Sequence, residues 1–400
     1  MRIGLFTDQY YPFVSGVVTS IKMLYEGLTN LGHECYIVTS MAEDKIKDLE
    51  KQRKNVINIY GRPYPFKDLR DYRYTFSHRK YLKTIKNLNL DIIHVHTEYN
   101  ISKLAILAHK KLHIPMVHTL HTLWSDYFKY VSPFFDKHFH KLMEKYLRKL
   151  FTGPVSKNSI IDIVPTKKVY DQSLKYGLNS DIRIIPTGID LDKFNPKHFT
   201  NQQINDLKNK LGIKPNQFVF LYIGRASKEK NIITLLNSYA KACKGNFDTV
   251  FVLVGGGPQL EELKEYCKEL QIDNQIIFTN TIPREKLPIY YQLGDIFVNA
   301  SQSETQGLTY IEALGSSIPL LVQKDDCIKD VVENYYNGIY FEGEDDLTLK
   351  MKEILRAPET LKKIKSNTIN SVFEYSKETY TLRVFALYEE AIEKFKKQQS

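Results

Sequence analysis

The chain has 400 residues, more than one hydrophobic core usually fills, so two domains are expected and a lone small binding module is excluded. Its 42% hydrophobic, 26% charged and 12% aromatic residues supply packed cores and exclude a disordered or fibrous chain. The net charge of +10 sits in one half: residues 1–190 hold 29 Lys+Arg against 18 Asp+Glu, a net of +11, and the remainder 27 against 28, a net of −1.

The opening MRIGLFTDQYYPF reaches Asp8 and Pro12 too soon for the apolar core of a signal peptide and reads as a first strand. No run approaches the roughly 20 apolar residues that span a bilayer. Cys35, Cys243, Cys267 and Cys327 are scattered, so neither a disulfide framework nor a zinc site is expected, and a reducing, cytosolic setting fits.

Short apolar runs alternate with helical patterns, which predicts an α/β fold of parallel sheets covered by helices. Strands are expected at RIGLFTD, ECYIVTS, VINIYG, IIHVH, MVHTLH, IDIVPT and IRIIPTG. After an interruption by Pro186, Gly188 and Pro196, a second series follows at FVFLYIGR, TVFVLVGGG, QIIFTN, DIFVNAS, PLLVQ and GIYF. PQLEELKEYCKEL predicts a helix with Leu260, Leu263, Cys267 and Leu270 on one stripe. The expected domains are 1–186 and 187–376, each a doubly wound Rossmann-like unit, followed by a terminal helix over 377–400.

Residues 51–90 carry eleven cations, including Arg62, Lys67, Arg70, Arg73, Arg79, Lys80, Lys83 and Lys86, against Asp68 and Asp71. Tyr60, Tyr64, Phe66, Tyr72, Tyr74, Phe76 and Tyr81 interleave with them. A second basic stretch from Lys137 sets Lys141, Lys145, Arg148 and Lys149 among Phe139, Leu142, Tyr146 and Leu150. Cations beside rings and leucines suit an anionic membrane surface, where each contributes about 1 kcal/mol. Nucleic acid is the competing partner, and an ordinary solvated helix face the bland alternative.

In open α/β sheets ligands bind beyond the carboxyl ends of the strands. After the first strand, Ser15-Gly16-Val17 opens a helix, where a glycine lets a ligand or another backbone approach; a plain strand-to-helix turn would look the same. Gly224-Arg225, with Lys228, Glu229 and Lys230 before the next helix, places cations where a diphosphate can be neutralised, although loop lysines are more often solvated. Gly255-Gly256-Gly257-Pro258 is another strand-to-helix turn, serving either packing or a ligand. In SETQGLTYIE, from Ser303, Glu304 stands in the loop, the Gly307 region offers amides to an anion, and Glu312 is expected two turns into a helix. Carboxylates accept strong hydrogen bonds from sugar hydroxyls; a capping acid and a solvent-facing glutamate are the alternative. His121, preceded by His118, ends a strand where an imidazole donates to a substrate or handles a proton, unless both are core residues. Asp91, His94 and His96 lack a third ligand on one face, so no metal is expected there, and Asp190 and Asp192 fall in the interdomain segment.

Taken in order, Ser15-Gly16-Val17, Asp91 to His96, His121, Pro186 to Asp190, Gly224-Arg225 with Glu229-Lys230, Gly255 to Pro258 and Glu304 to Glu312 resemble the retaining glycosyltransferases of family GT4 over nearly the whole chain. The resemblance implies the GT-B fold, two Rossmann-like domains facing each other across a cleft. It extends, in SGVVTS, HVHTEYNISKLA, TLHTLWSDYFKYVSP and NASQSETQGLTYIEAL, to members that move glucose from UDP-glucose to 1,2-diacylglycerol at the cytoplasmic face of the membrane.

It implies an N-terminal domain that takes the lipid, a C-terminal domain that takes the nucleotide sugar, and a last helix that returns to the first domain. It assigns Arg225 and Lys230 to the diphosphate, Glu304 and the Gln306–Leu308 backbone to the sugar and phosphate, and Glu312 to the ribose. His121 goes to the sugar near the reacting carbon and Gly16 to the phosphate-facing loop. No tightly bound cofactor is implied, and at most a loosely held Mg2+ beside the diphosphate. Two positions depart from the family: Ser15 where a glycine pair is common, and Asn231 where glycine follows Glu-Lys. Open alternatives are a GT4 enzyme with another donor (UDP-galactose, GDP-mannose) or acceptor, a processive one, and a non-catalytic membrane or nucleic-acid binding protein.

Overall fold

A computed structural model describes residues 1–10, 15–40, 55–63, 73–75, 78–121, 149, 153–178, 180–301 and 304–399. The chain divides into two compact units, Met1–Gly188 with Lys377–Ser400, and Ile189–Ser376. The division falls two residues past Pro186.

The first unit holds β1 (Arg2–Phe6), β2 (Glu34–Thr39), β3 (Val56–Asn58), β4 (Ile92–Val95), β5 (Met116–Thr119), β6 (Ile161–Val164) and β7 (Asp181–Ile184). They form one sheet in the order β3-β2-β1-β4-β5-β6-β7, all parallel. The second unit holds β8 (Phe218–Ile223), β9 (Thr249–Val254), β10 (Ile276–Phe278), β11 (Ile296–Asn299), β12 (Leu320–Gln323) and β13 (Gly338–Phe341), ordered β10-β9-β8-β11-β12-β13 and again parallel. Both sheets are doubly wound, and each has a switch point where the order reverses, between β1 and β4 and between β8 and β11.

Near-continuous apolar strands fit sheets covered on both faces. On β8 the pleat sends Phe220 and Tyr222 into one core and Val219, Leu221 and Ile223 into another. The same alternation separates Ile3 and Leu5 from Phe6 in the first unit. The helices that matter below are α1 (Gly16–Asn30), α2 (Asn100–Leu112), α3 (Ile232–Cys243), α4 (Leu260–Glu269), α5 (Leu308–Gly315) and α6 (Lys377–Gln399).

α6 joins the core of the first unit through Tyr380, Val384, Leu387, Tyr388 and Ala391. Its close approach to α1 depends on Gly27, where an added Cβ would lie 1.9 Å from Thr381 Oγ1. Polar contacts fix its register: Ser20 Oγ and Tyr380 OH at 2.8 Å, His94 Nδ1 and Tyr388 OH at 2.7 Å, and Lys394 Nζ to Asp181 at 2.5 Å. Among the described residues no helix is long and apolar enough to cross a membrane.

Candidate active site

In the second unit the switch point brings together segments far apart in sequence. β8 runs into Gly224-Arg225, then a short 3-10 turn over Lys228–Lys230 that opens α3. β11, paired beside β8, runs into the segment that precedes α5. There Lys230 Nζ donates to Glu304 Oε1 at 2.5 Å, both side chains mostly covered. Burial opposes the charge on Lys230, but the Glu304 carboxylate outweighs it and holds the ammonium pKa above its ordinary value. The cation and the carboxylate expected at the sugar diphosphate are therefore neighbours, and Lys230 is not a solvated loop lysine. Arg225 is exposed and makes no ion pair among the described residues, which leaves its guanidinium free for an anion.

Asn231 adopts φ 51°, in the left-handed region. This explains the family's glycine there and why asparagine, which tolerates that region, can replace it. Ser15 is the N-cap of α1, extended at φ −154° and accepting from the Val18 amide at 3.3 Å, so serine in place of glycine supplies a cap. Gly16 follows as the first, exposed residue of α1. Gly255 and Gly257 serve packing: a Cβ would lie 2.0 Å from the Gly224 oxygen and 2.3 Å from the Ala226 oxygen. The turns after β8 and β9 are stitched together by Ala226 N to Gly256 O and Gln259 N to Ala226 O.

Gly307 caps α5 at φ 72°, and a Cβ there would lie 2.4 Å from the Tyr310 ring. Only glycine fits, and the α5 amides open the helix toward the strand ends. Gln306 is buried and Leu308 half-buried. Glu312 differs from the expectation in depth. Because α5 starts at Leu308, Glu312 is just over one turn in, not two. It is neither a cap nor solvent-facing: at 2% exposure it accepts from Arg284 Nη2 and the Tyr291 hydroxyl, each at 2.8 Å. Burial without those partners would be costly.

The first unit's strand ends hold a buried polar layer. His121, just past β5, is half-buried, and its Nε2 lies 3.1 Å from His96 Nδ1. Burial pulls its pKa down to about 3, so the imidazole is neutral. His118 is a core residue set between Asp162 at 3.0 Å and Glu98 at 3.3 Å. Burial opposes its charge, but those two carboxylates raise its pKa to about 9. Among the described residues no group of three or more His, Cys, Asp or Glu is placed to hold a metal ion.

Sequence reasoning passed over Asp8. It follows β1 and receives hydrogen bonds from Thr97 Oγ1 at 2.8 Å and from the Asn100 and Ile101 amides at 3.2 and 3.0 Å, tying β1 to the start of α2 at the switch point. Burial pushes its carboxyl up to about 7 against these bonds. Its place directly after the first strand was the available signal.

Of the basic side chains, Lys67, Arg70, Lys141, Lys145 and Arg148 lie outside the described residues, as do Ser303 and the aromatics Tyr64, Phe66, Tyr72 and Phe76. Arg62, Arg79, Lys80, Lys83, Lys86 and Lys149 are exposed, and Arg73 is half-buried. Arg62–Pro63 and Arg73–Tyr74 form a small antiparallel ribbon. The helix Leu82–Asn87 buries Ile85 and leaves Lys83 and Lys86 in solvent, Lys80 stands over the Tyr81 ring at 4.8 Å, and Tyr60 is 57% exposed.

Two doubly wound parallel sheets, with the Lys230–Glu304 pair and the buried Glu312 at the switch point of the second, give the architecture expected of the GT-B fold. The sequence comparisons agree: residues 14–193 match the model described as Glycosyltransferase Family 4, and residues 203–371 that of Glycosyl transferases group 1. The chain belongs to the GT4 glycosyltransferases. It is 36% identical over 394 residues to the alpha-monoglucosyldiacylglycerol synthase of Acholeplasma laidlawii, covering 98% of both chains. It is equally identical to the synthase of that name from Streptococcus pneumoniae, over 98% of this chain and 86% of the relative. In fold it resembles Anabaena HepE, solved in complex with UDP, at TM-score 0.77 and 17% identity over 98% of this chain and all of that one. Sucrose-phosphate synthase from Thermosynechococcus elongatus matches at TM-score 0.77 and 19% identity, over 97% and 98% of the two chains. These neighbours carry the GT-B fold.

Proposed function

We propose that this enzyme transfers glucose from UDP-glucose to the 3-hydroxyl of 1,2-diacylglycerol at an anionic membrane surface, with retention, making alpha-monoglucosyldiacylglycerol. The Lys230–Glu304 pair at the switch point carries the reading: it sets a cation for a diphosphate against a carboxylate for sugar hydroxyls. The two relatives above are named for synthesis of that lipid, and the fold neighbour HepE was solved with UDP.

In this reading the second unit holds the nucleotide sugar. Lys230 and Arg225 neutralise charge developing on the departing UDP, the role that positioned cations perform in a water-poor site. Glu304 and the amides of Gln306, Gly307 and Leu308 hold the sugar and phosphate. Glu312, already held by Arg284 and Tyr291, has lone pairs left for the ribose. In the first unit His121 faces the sugar, and Gly16 leaves space beside the phosphate.

The acceptor hydroxyl attacks the anomeric carbon from the face that UDP leaves; the bond to phosphate oxygen breaks as the new glycosidic bond forms, and the hydroxyl proton passes to the leaving phosphate. The exposed cations around Arg79, Lys80, Lys83 and Lys86 suit docking of the first unit on anionic lipid. The test offers UDP-glucose, UDP-galactose and GDP-mannose separately to the enzyme with vesicles containing diacylglycerol. Glucosyldiacylglycerol from UDP-glucose alone supports the reading, and lipid labelled only from another donor overturns its sugar.

A further inference from the structure

The buried layer beneath the strand ends of the first unit holds three imidazoles in ring contact, His94 and His96 tilted at 34° and His96 and His121 stacked. His94 is saturated, with Nδ1 on the Tyr388 hydroxyl and Nε2 on Thr119 Oγ1, both at 2.7 Å. The His96 ring lies on it at 4.0 Å between centroids and stacks on His121 at 5.4 Å and 20°. His96 is 1% exposed, and burial holds its pKa well below the ordinary histidine value. Both His96 and His121 are therefore neutral, and each carries one N–H. A single hydrogen bond joins them, His96 Nδ1 to His121 Nε2 at 3.1 Å, and the other His96 nitrogen, Nε2, is buried with no partner among the described residues.

Two proton arrangements satisfy that bond. In one, His121 Nε2–H donates to His96 Nδ1, which forces the single proton of His96 onto Nε2 and buries an N–H with nothing to receive it. In the other, His96 Nδ1–H donates to His121 Nε2, leaving only a bare lone pair at His96 Nε2 and moving the His121 proton to Nδ1. Orphaned buried N–H groups are rarer in folded proteins than under-used acceptors, which favours the second arrangement. Only His121 of the pair is partly exposed, and Nδ1 is its ring nitrogen left for a ligand.

We propose that His96 is a positioning residue that fixes His121 in the Nδ1–H tautomer, so that His121 presents a hydrogen-bond donor to a hydroxyl of the donor sugar. This rests on the reading of His121 as a sugar-facing group. A sugar hydroxyl held this way must accept from His121, leaving its own proton for an acceptor such as a carboxylate. The hydrogen bond made by one ring nitrogen of a histidine sets which of its two nitrogens carries the proton.

The test combines long-range 15N NMR on the full-length enzyme labelled at histidine nitrogen with steady-state transfer. His121→Gln identifies the His121 signals by their loss. The expected wild-type spectrum has His121 protonated at Nδ1 and bare at Nε2. A His121 protonated at Nε2 overturns the proposal, whatever any variant does. His96→Leu is expected to mix the tautomers and lower kcat by about 100-fold, the scale of a misplaced catalytic group, with donor KM and UDP-induced thermal stabilisation unchanged. His96→Asn, whose amide N–H replaces Nδ1–H, restores most of kcat. Unchanged kcat and an unchanged tautomer in His96→Leu contradict the proposal. If the wild-type tautomer is as stated but His121→Gln transfers normally, the tautomer assignment holds and the sugar-facing role of His121, with the catalytic half of the proposal, falls.

Discussion

Lys230 and Glu304 are 74 positions apart in the chain and 2.5 Å apart in space. Adjacent parallel strands at a switch point deliver one from the turn after β8 and the other from the turn after β11. The partnership keeps a partly buried ammonium charged and a carboxylate oriented. Lys230→Ala and Glu304→Ala are each expected to lower transfer by about 100-fold or more, as removal of one transition-state partner does, with unchanged circular dichroism. Glu304→Ala also leaves Lys230 unpaired, so its thermal stability falls by the equivalent of about 1–3 kcal/mol. Normal turnover in either variant would remove the site assignment.

Glu312 is held by Arg284 and Tyr291 rather than by solvent. Glu312→Gln keeps the shape but loses the charge, and is expected to weaken UDP binding about tenfold, some 1.4 kcal/mol, with a smaller effect on kcat. Calorimetric titration of UDP checks this; unchanged affinity would place the ribose elsewhere.

The return of α6 to the first unit rests on a missing side chain. Gly27→Val puts carbon where Thr381 Oγ1 now lies, and overpacking of this kind costs about 1–3 kcal/mol. Thermal unfolding is expected several degrees lower, with partial recovery in the double variant Gly27→Val, Thr381→Ala. A single variant as stable as the wild type would contradict the packing described.

Stability depends on pH through two buried groups. The His118 pKa, raised to about 9 against burial by Asp162 and Glu98, lies above its unfolded value near 6.5. Its contribution is full below about pH 6.5 and is lost as pH rises through about 9. The Asp8 carboxyl, raised by burial to about 7 against bonds from Thr97, Ile101 and Asn100 and with Glu98 adding to the rise, has the same sign. Its contribution is full below about pH 4 and lost by about pH 7. Thermal melts from pH 4 to 10 should show both declines; Asp8→Asn should flatten the first and His118→Gln the second.

Arg79, Lys80, Lys83 and Lys86 are exposed. Replacing all four by Gln should weaken sedimentation with anionic vesicles by about 1 kcal/mol per residue at low salt and leave UDP binding intact. Equal sedimentation with neutral and anionic vesicles would remove the electrostatic docking argument.

Much of this was legible in the sequence. Parallel strands declare themselves as apolar runs because both faces are covered, and glycine and proline mark the turns, so the two sheets and the Glu304 to Glu312 segment stand out. Partnerships did not. That Glu304 meets Lys230, or that Arg284 and Tyr291 hold Glu312, depends on strand order, which brings β11 beside β8 rather than β10. Asp8 and the His96–His121 bond escaped for the same reason, since a strand-end aspartate or histidine has no signature until its neighbouring strand is known. The depth of Glu312 was misjudged because the helix starts only where Gly307 takes its left-handed turn.

The most direct measurement is transfer from UDP-glucose into vesicles containing diacylglycerol and anionic lipid, by wild type and Glu304→Ala, with the anomeric configuration of the lipid product read by NMR. Alpha-linked glucosyldiacylglycerol from the wild type and almost none from the variant is the predicted result. A beta-linked product, or equal product from both proteins, would contradict it.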